Sequence, residues 1–253
     1  MTPSLTHLID RLDSELQVAL FSDYCPNGLQ VEGRDRVATL VTGVSASQAL
    51  IDEAIALKAD LLLVHHGFFW KGEAQPITGI KRKRIKALMD HDISLAAYHL
   101  PLDAHPQLGN NAQLARLLGV QGATPLDPND TRCLVWRGAL KEPCSAQELV
   151  RLLAAKLGRS PQLIEGGDHP VRQLAWCTGA AQSYIDQAAA AGVDAFISGE
   201  ISEPTVHNAR EMGIHYFGAG HHATERYGVK ALGEWLAEEE GLVHHFVDIN
   251  NPV

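Results

Sequence analysis

Cysteine is scarce: four residues in a chain of 253, none paired as CxxC, leave no frame for disulfides or a thiolate zinc site. Cys25, Cys133, Cys144 and Cys177 read instead as reduced, mostly buried thiols. Long apolar runs are missing too; none approaches the roughly 18 residues that a membrane-spanning helix needs. The opening stretch "MTPSLTHLIDRLDSEL" lacks the positive-then-apolar order of a secretory signal. It reads as an amphipathic helix, with Leu5, Leu8, Ile9, Leu12 and Leu16 on one face and Thr2 or Ser4 as cap. There is no excess of basic charge: a net charge of −9 disfavours non-specific attraction to nucleic acid or anionic lipid. Neither a P-loop nor a GxGxxG fingerprint occurs, which argues against ATP hydrolysis and a nicotinamide cofactor. The expectation is a cytoplasmic protein that does not engage a membrane.

What the chain does have is alternation. Short aliphatic runs such as "VATLVTGV" (37–44), "ADLLLV" (59–64) and "ISLAAYHL" (93–100) are separated by helical patterns near 47–58, 80–90 and 110–118. This is α/β organisation in three layers, with helices on both sheet faces. The Pro/Asp-rich "TPLDPND" (124–130) divides it into a first repeat, 1–123, and a second, 124–253, whose C-terminal part can pack back on the first. The two resemble each other. "IDEAIALKADLLLVHHG" (51–67) aligns without a gap on "IDQAAAAGVDAFISGEI" (185–201), which makes His66 and Glu200 equivalent. "VTGVSAS" answers "CTGAAQS", placing Thr42-Gly43 and Thr178-Gly179 at strand ends, where their backbone amides can serve a tight turn or face a phosphate.

The 13 histidines are the compositional outlier, and several sit where strands end. "LLLVHHG" closes a buried-looking strand on His65 and His66. "AYHLPLDAHP" brings His99, Asp103 and His105, and "GAGHHATERYG" brings His221, His222 and Glu225. In open α/β sheets, ligands gather outside the carboxyl ends of strands. His221 and Glu225 stand four apart, so a helix beginning at His221 puts both on one face. Imidazoles with carboxylates, and no thiolate, suit Zn, Fe, Mn or Co rather than Ca or Mg. These strand ends offer more ligands than the three that one catalytic zinc takes from protein, whereas two ions sharing a carboxylate could use five. A cluster of acids and bases without metal is the simpler alternative. His7, His91, His169, His207, His215, His244 and His245 read as ordinary hydrogen-bonded or surface residues.

Taken together, "LVHHG", "YHLPLD" with "GNNAQLARLLG" after it, and "GAGHHATERYGV" resemble the Nif-three-like family, known as GTP cyclohydrolase 1 type 2 homologues. The resemblance runs end to end. It implies two intertwined α/β repeats, a dinuclear centre formed by His65, His66, Asp103, His221 and Glu225, and a toroidal homohexamer. If both groups of ligands bind the same ions, the metals lie in the cleft between the repeats. The resulting expectation is a hydrolase with two divalent ions (Zn, Fe or Mn) acting on a nucleotide or related heterocycle, with GTP suggested by the family name. The ions would activate water for attack on an electrophilic carbon, C8 of the purine in a cyclohydrolase. His99 or His222 is the candidate proton shuttle.

The basic run "KRKRIK" (81–86) reads as a solvated helix face, with phosphate contact as the other reading. The aromatics "FFW" (68–70) can stack on a base, form a lid or meet a neighbouring subunit. The rival function is a metal-stabilised oligomeric assembly that binds a protein or nucleic-acid partner and catalyses nothing.

Overall fold

The computed structural model describes residues 2–253. Its elements, in chain order, begin with α1 (Leu5–Glu15), β1 (Gly28–Val31), β2 (Thr39–Ser45), α2 (Gln48–Ala56), β3 (Leu61–His66), α3 (Gly79–Asp90) and β4 (Ser94–Ala97). There follow α4 (Leu100–Ala104), α5 (Asn110–Leu118), β5 (Gln121–Pro125), β6 (Trp136–Cys144), α6 (Ala146–Leu157), β7 (Gln162–Ile164) and β8 (Val171–Cys177). The chain ends with α7 (Ile185–Ala190), β9 (Ala195–Ser198), α8 (Glu203–Met212), β10 (His215–Gly218), α9 (His221–Glu240) and β11 (Val243–Phe246). This is a mixed α/β protein with two sheets, as the alternation implied. No helix among the described residues is long and apolar enough to cross a membrane.

Two compact units result. The first comprises the residues up to Leu102 together with Gly228–Asn250; the second holds Asp103–Tyr227 and Asn251–Val253. The sequence pattern suggested a division at 123/124 instead. The Pro/Asp-rich segment there begins in the last two residues of β5 and leads to β6, which pairs antiparallel with β5 (Thr124 with Arg137, Pro125 with Trp136), so it joins strands of one sheet.

In the first unit the strand order is β1-β4-β3-β2-β11, with β1 antiparallel to β4 and the other neighbours parallel. The central strand β3 is buried on both faces, which is why Leu61–Val64 reads as an unbroken aliphatic run. Ser47 caps α2 by accepting the Leu50 N–H at 3.2 Å. Ser4 caps α1 in the same way through the His7 N–H, and Leu5, Leu8 and Leu12 form the buried face while Ile9 is only half-buried.

The second unit has the order β5-β6-β8-β9-β10-β7, in which β8, β9 and β10 run parallel. A capping box of Ser145 and Glu148 starts α6, and Gly158 in the left-handed conformation ends it.

Strand register identifies the two similar repeats. Leu40, Leu61 and Ser94 are neighbours across β2, β3 and β4; Leu174, Ala195 and His215 are neighbours across β8, β9 and β10. At the edges, β1 meets β4 with Gly28 on Ala97, and β7 meets β10 with Gln162 on Gly218. The equivalence of His66 with Glu200 follows from this register. The match of Thr42 to Thr178 does not: Leu40 answers Leu174, so Thr42 answers Trp176 and lies inside β2 rather than at its end. Gly43 is likewise no turn residue. A side chain there would meet Leu50 at 2.6 Å, so its need is close packing of α2 on the sheet.

Candidate metal centre

In the first unit, β3 carries His65 and His66 out of the core. His65 is fully buried, and its Nδ1–H donates to the Tyr98 carbonyl at 2.8 Å. In a neutral ring that bond keeps the proton on Nδ1, the tautomer in which Nε2 is the nitrogen able to ligate a metal. The Nδ1 of His66 lies 3.0 Å from Ser45 Oγ. His99, just beyond β4, packs against both: ring centroids lie 5.1 Å from His65 and 5.7 Å from His66. Each of the three can offer one nitrogen within 4.8 Å of the others, a spacing suited to a cation.

His99 has a partner that sequence reasoning missed. Its Nδ1–H donates to Asp23 Oδ1 at 2.8 Å, and the Asp23 carboxylate also accepts from Asn27 Nδ2 and the Leu100 N–H, both at 2.9 Å. Burial alone would raise the Asp23 carboxyl; the hydrogen bond and charge of His99, with the Asn27 and Leu100 donors, bring it down to about 2. A lowered carboxylate stabilises the fold above its unfolded value near 3.8, and that stability is lost as pH falls through about 2. Asp23→Asn should therefore cost about 1 to 2 kcal/mol at pH 7 once solvent screening is allowed for. Melting of both proteins across pH 2–7 checks this, with the gap closing toward the acid end; a gap independent of pH would remove the charge from the account. Nothing local in "FSDYCPNG" marks Asp23, because its partner lies 76 residues away.

In the second unit, α9 begins at His221 directly after β10, and the four-residue spacing does bring His221 Nε2 to Glu225 Oε2, at 3.1 Å. The other nitrogen, Nδ1, faces Glu200 Oε1 at 2.7 Å. Burial would lower the His221 pKa, but Glu225 and Glu200 together outweigh it and raise the pKa to about 9. Asp103, on α4, also belongs to this unit and offers an oxygen within 4.8 Å of one from Glu225. Asp103 is 7% exposed and Glu225 2%. The Asp103 carboxylate accepts from Asn110 Nδ2 at 2.7 Å and Thr178 Oγ1 at 3.4 Å. Two carboxylates so close and so buried require compensating positive charge. The neighbouring Cys177 thiol registers that field: burial first, then the charges of Asp103 and Glu225, push its pKa well up.

Gly179 is what lets Glu225 sit there. Its φ of 71° is left-handed, and a β-carbon at this position would collide with Glu225 Oε1. Its own N–H donates to Thr224 Oγ1 at 3.2 Å, so this amide is engaged within the fold rather than facing a phosphate.

The family model described as Duf34/NIF3 (NGG1p interacting factor 3) matches residues 3–252. The chain belongs to the Duf34/NIF3 family. It is 54% identical over 252 residues to a Pseudomonas aeruginosa protein called GTP cyclohydrolase 1 type 2 homolog, spanning 100% of both chains. An Escherichia coli protein of the same name is 54% identical over 248 residues, covering 98% of each. Among solved structures, the protein ybgI superposes with a TM-score of 0.94 at 53% identity, covering 99% of this chain and 100% of that one. A Thermus thermophilus protein gives 0.89 at 33% identity, with 99% and 100% coverage.

Other expected residues fall as follows in this Duf34/NIF3 chain. His105 Nδ1 accepts the N–H groups of Gln107 and Leu108 at 3.3 and 3.0 Å and so shapes the turn after α4. His222 is buried beside His221 but joins none of the ligand clusters found among the described residues. His169 and His215 stack at 4.2 Å, each with Nε2 on a backbone carbonyl, and His244 pairs with Thr42. Asp23, Cys25 and His99 also form a tight group, but burial and then the charge of Asp23 push the Cys25 thiol to about 12, which disfavours thiolate ligation. All four cysteines are free.

Proposed function

We propose that His65, His66, Asp103, His221 and Glu225 bind two divalent ions (Zn, Fe or Mn), and that the protein is a metal-dependent hydrolase of a nucleotide or related heterocycle. The observation that carries the reading is the buried Asp103–Glu225 carboxylate pair, together with two histidines oriented through Nδ1, His65 on the Tyr98 carbonyl and His221 on Glu200, with His221 Nε2 turned to Glu225. Bound ions would polarise an electrophilic group and make water more acidic, from 15.7 toward roughly 7. The chain's own residues supply the rest. Asp23 holds the His99 ring by Nδ1, so Nε2 is the atom that takes or returns a proton. His222 is the other candidate for that transfer. GTP is the compound to which the relatives' name points.

The same reading includes a homohexamer in the cytoplasm, supported by the resemblance and by the rule that soluble homo-oligomers close symmetrically. The exposed Arg82 and Lys83 on α3 keep a non-catalytic, partner-binding assembly as the rival. Protein purified without chelator and reconstituted with Zn²⁺, Mn²⁺ or Fe²⁺ should carry two equivalents of metal per chain and turn over GTP or another member of a heterocycle panel. Under one equivalent by elemental analysis would end the dinuclear reading. Full metal loading with no turnover, and retention on immobilised nucleic acid, would favour the rival.

A further inference from the structure

The chain does not simply leave the sheet after His66. A side chain at position 67 would collide with Gln30 and with Ala97, so glycine is required where the chain passes them. Gln30 Oε1 accepts the Phe68 N–H at 2.7 Å, and the Phe68 ring enters the core, 5% exposed. Phe69 then adopts φ 65°, a left-handed conformation that costs energy for a bulky residue. This reversal turns Trp70 back over the end of β3. Its indole N–H donates to the Gly67 carbonyl at 3.2 Å, and its ring lies 5.0 Å from His99 and 5.9 Å from His66.

The turn is pinned from several sides. The Lys81 ammonium sits 4.8 Å from the Phe69 ring centre and 3.3 Å from Glu73, and Glu73 accepts the Trp70 N–H at 3.1 Å. The Lys71 N–H donates to the Tyr24 carbonyl at 2.6 Å, tying the turn to a second aromatic residue. Tyr24 is 63% exposed, and its ring lies 6.5 Å from His99. Trp136 and Trp176, by contrast, are core residues at 4% and 0% exposure. Trp70 is kept half-buried beside titratable histidines, in a strained turn.

We propose that Trp70, with Tyr24 beside it, is the surface on which a planar heteroaromatic ring stacks next to His99. This rests on the heterocycle reading above and names how that class of substrate is held. An indole face binds any flat π-system, so Trp70 would select ring shape and leave identity to polar groups elsewhere. A merely apolar cover would need bulk and no π face, which separates the two roles experimentally.

The test is binding of guanosine monophosphate, with ribose 5-phosphate as the probe lacking a ring system, to metal-loaded wild type, Trp70→Leu and Trp70→Phe. Trp70→Leu should weaken guanosine monophosphate about tenfold or more, and Trp70→Phe by less than about threefold. Ribose 5-phosphate should bind all three alike. Tryptophan emission of the wild type should fall on adding the nucleotide, and that quenching should vanish in Trp70→Phe although binding persists. Unchanged affinity in Trp70→Leu, or quenching that survives in Trp70→Phe, overturns the stacking role and leaves the heterocycle reading standing. If the wild type binds neither guanosine monophosphate nor any other ring compound, both fall.

Discussion

Removing metal should lower the melting temperature of the wild-type protein by about 10 °C, and should barely move Asp103→Asn or Glu225→Gln. The reason lies within the second unit. Asp103 and Glu225 bring two carboxylates within 4.8 Å of one another at 7% and 2% exposure. A ligand held only by the native state at a thousandfold excess over its Kd stabilises by about 4 kcal/mol. For a chain of this size each kcal/mol is worth roughly 2–4 °C. Either substitution keeps side-chain shape while removing one of the two charges that call for a cation.

The effect should also depend on pH with a defined sign. In the metal-free chain, His221 is raised to about 9 by Glu225 and Glu200 against the opposing effect of burial. A raised histidine contributes stability that is complete below its unfolded value of 6.5 and is lost as pH rises through about 9. An incoming ion must displace that proton. The metal-dependent rise in melting temperature should therefore grow between pH 6 and pH 9. Thermal melts of the three proteins with chelator and with each metal decide it. If both variants respond to metal as the wild type does, Asp103 and Glu225 are not ligands.

How much of this was legible in the sequence depends on the range of the interaction. The buried strand Leu61–His66, the helix face shared by His221 and Glu225, and the Ser4 cap are local patterns, and each appeared as read. The repeat was visible because Ile-Asp and a pre-strand Asp recur at fixed spacing, and strand register agrees with it. Its Thr42 extension failed because a two-residue slip keeps the same side-chain alternation and leaves no mark in composition. Asp23 and Glu200 hold their histidines from 76 and 21 residues away, so no spacing rule reaches them. Glu200 was marked only by standing where His66 stands in the other repeat. The division of the chain at Leu102/Asp103 was also hidden, since α4 runs through it without a linker composition.

Gly179→Ala should damage the site more than any glycine substitution of equal backbone strain elsewhere, and Gly192→Ala supplies the comparison. Both glycines are left-handed, at φ 71° and 69°, so an added β-carbon costs each about 1–2 kcal/mol. At Gly192 the new carbon would meet nothing within 4 Å. At Gly179 it would collide with Glu225 Oε1 and come within 3.4 Å of His221 Nε2. The backbone there has little freedom to retreat, because the Gly179 carbonyl accepts from the N–H groups of Ala181, Gly199 and Glu200 at 3.0, 2.9 and 3.2 Å. The Glu225 carboxylate must therefore swing away from His221 and Asp103. Both variants should melt a few degrees below wild type when metal-free, roughly 2–8 °C for the strain alone. Only Gly179→Ala should also lose metal affinity, by tenfold or more, about 1.4 kcal/mol or above. Metal titrations followed by melting temperature separate the two terms. Should Gly179→Ala take up metal as readily as Gly192→Ala, the position of Glu225 beside Gly179 does not govern ligation, and its carboxylate is not a ligand in this geometry.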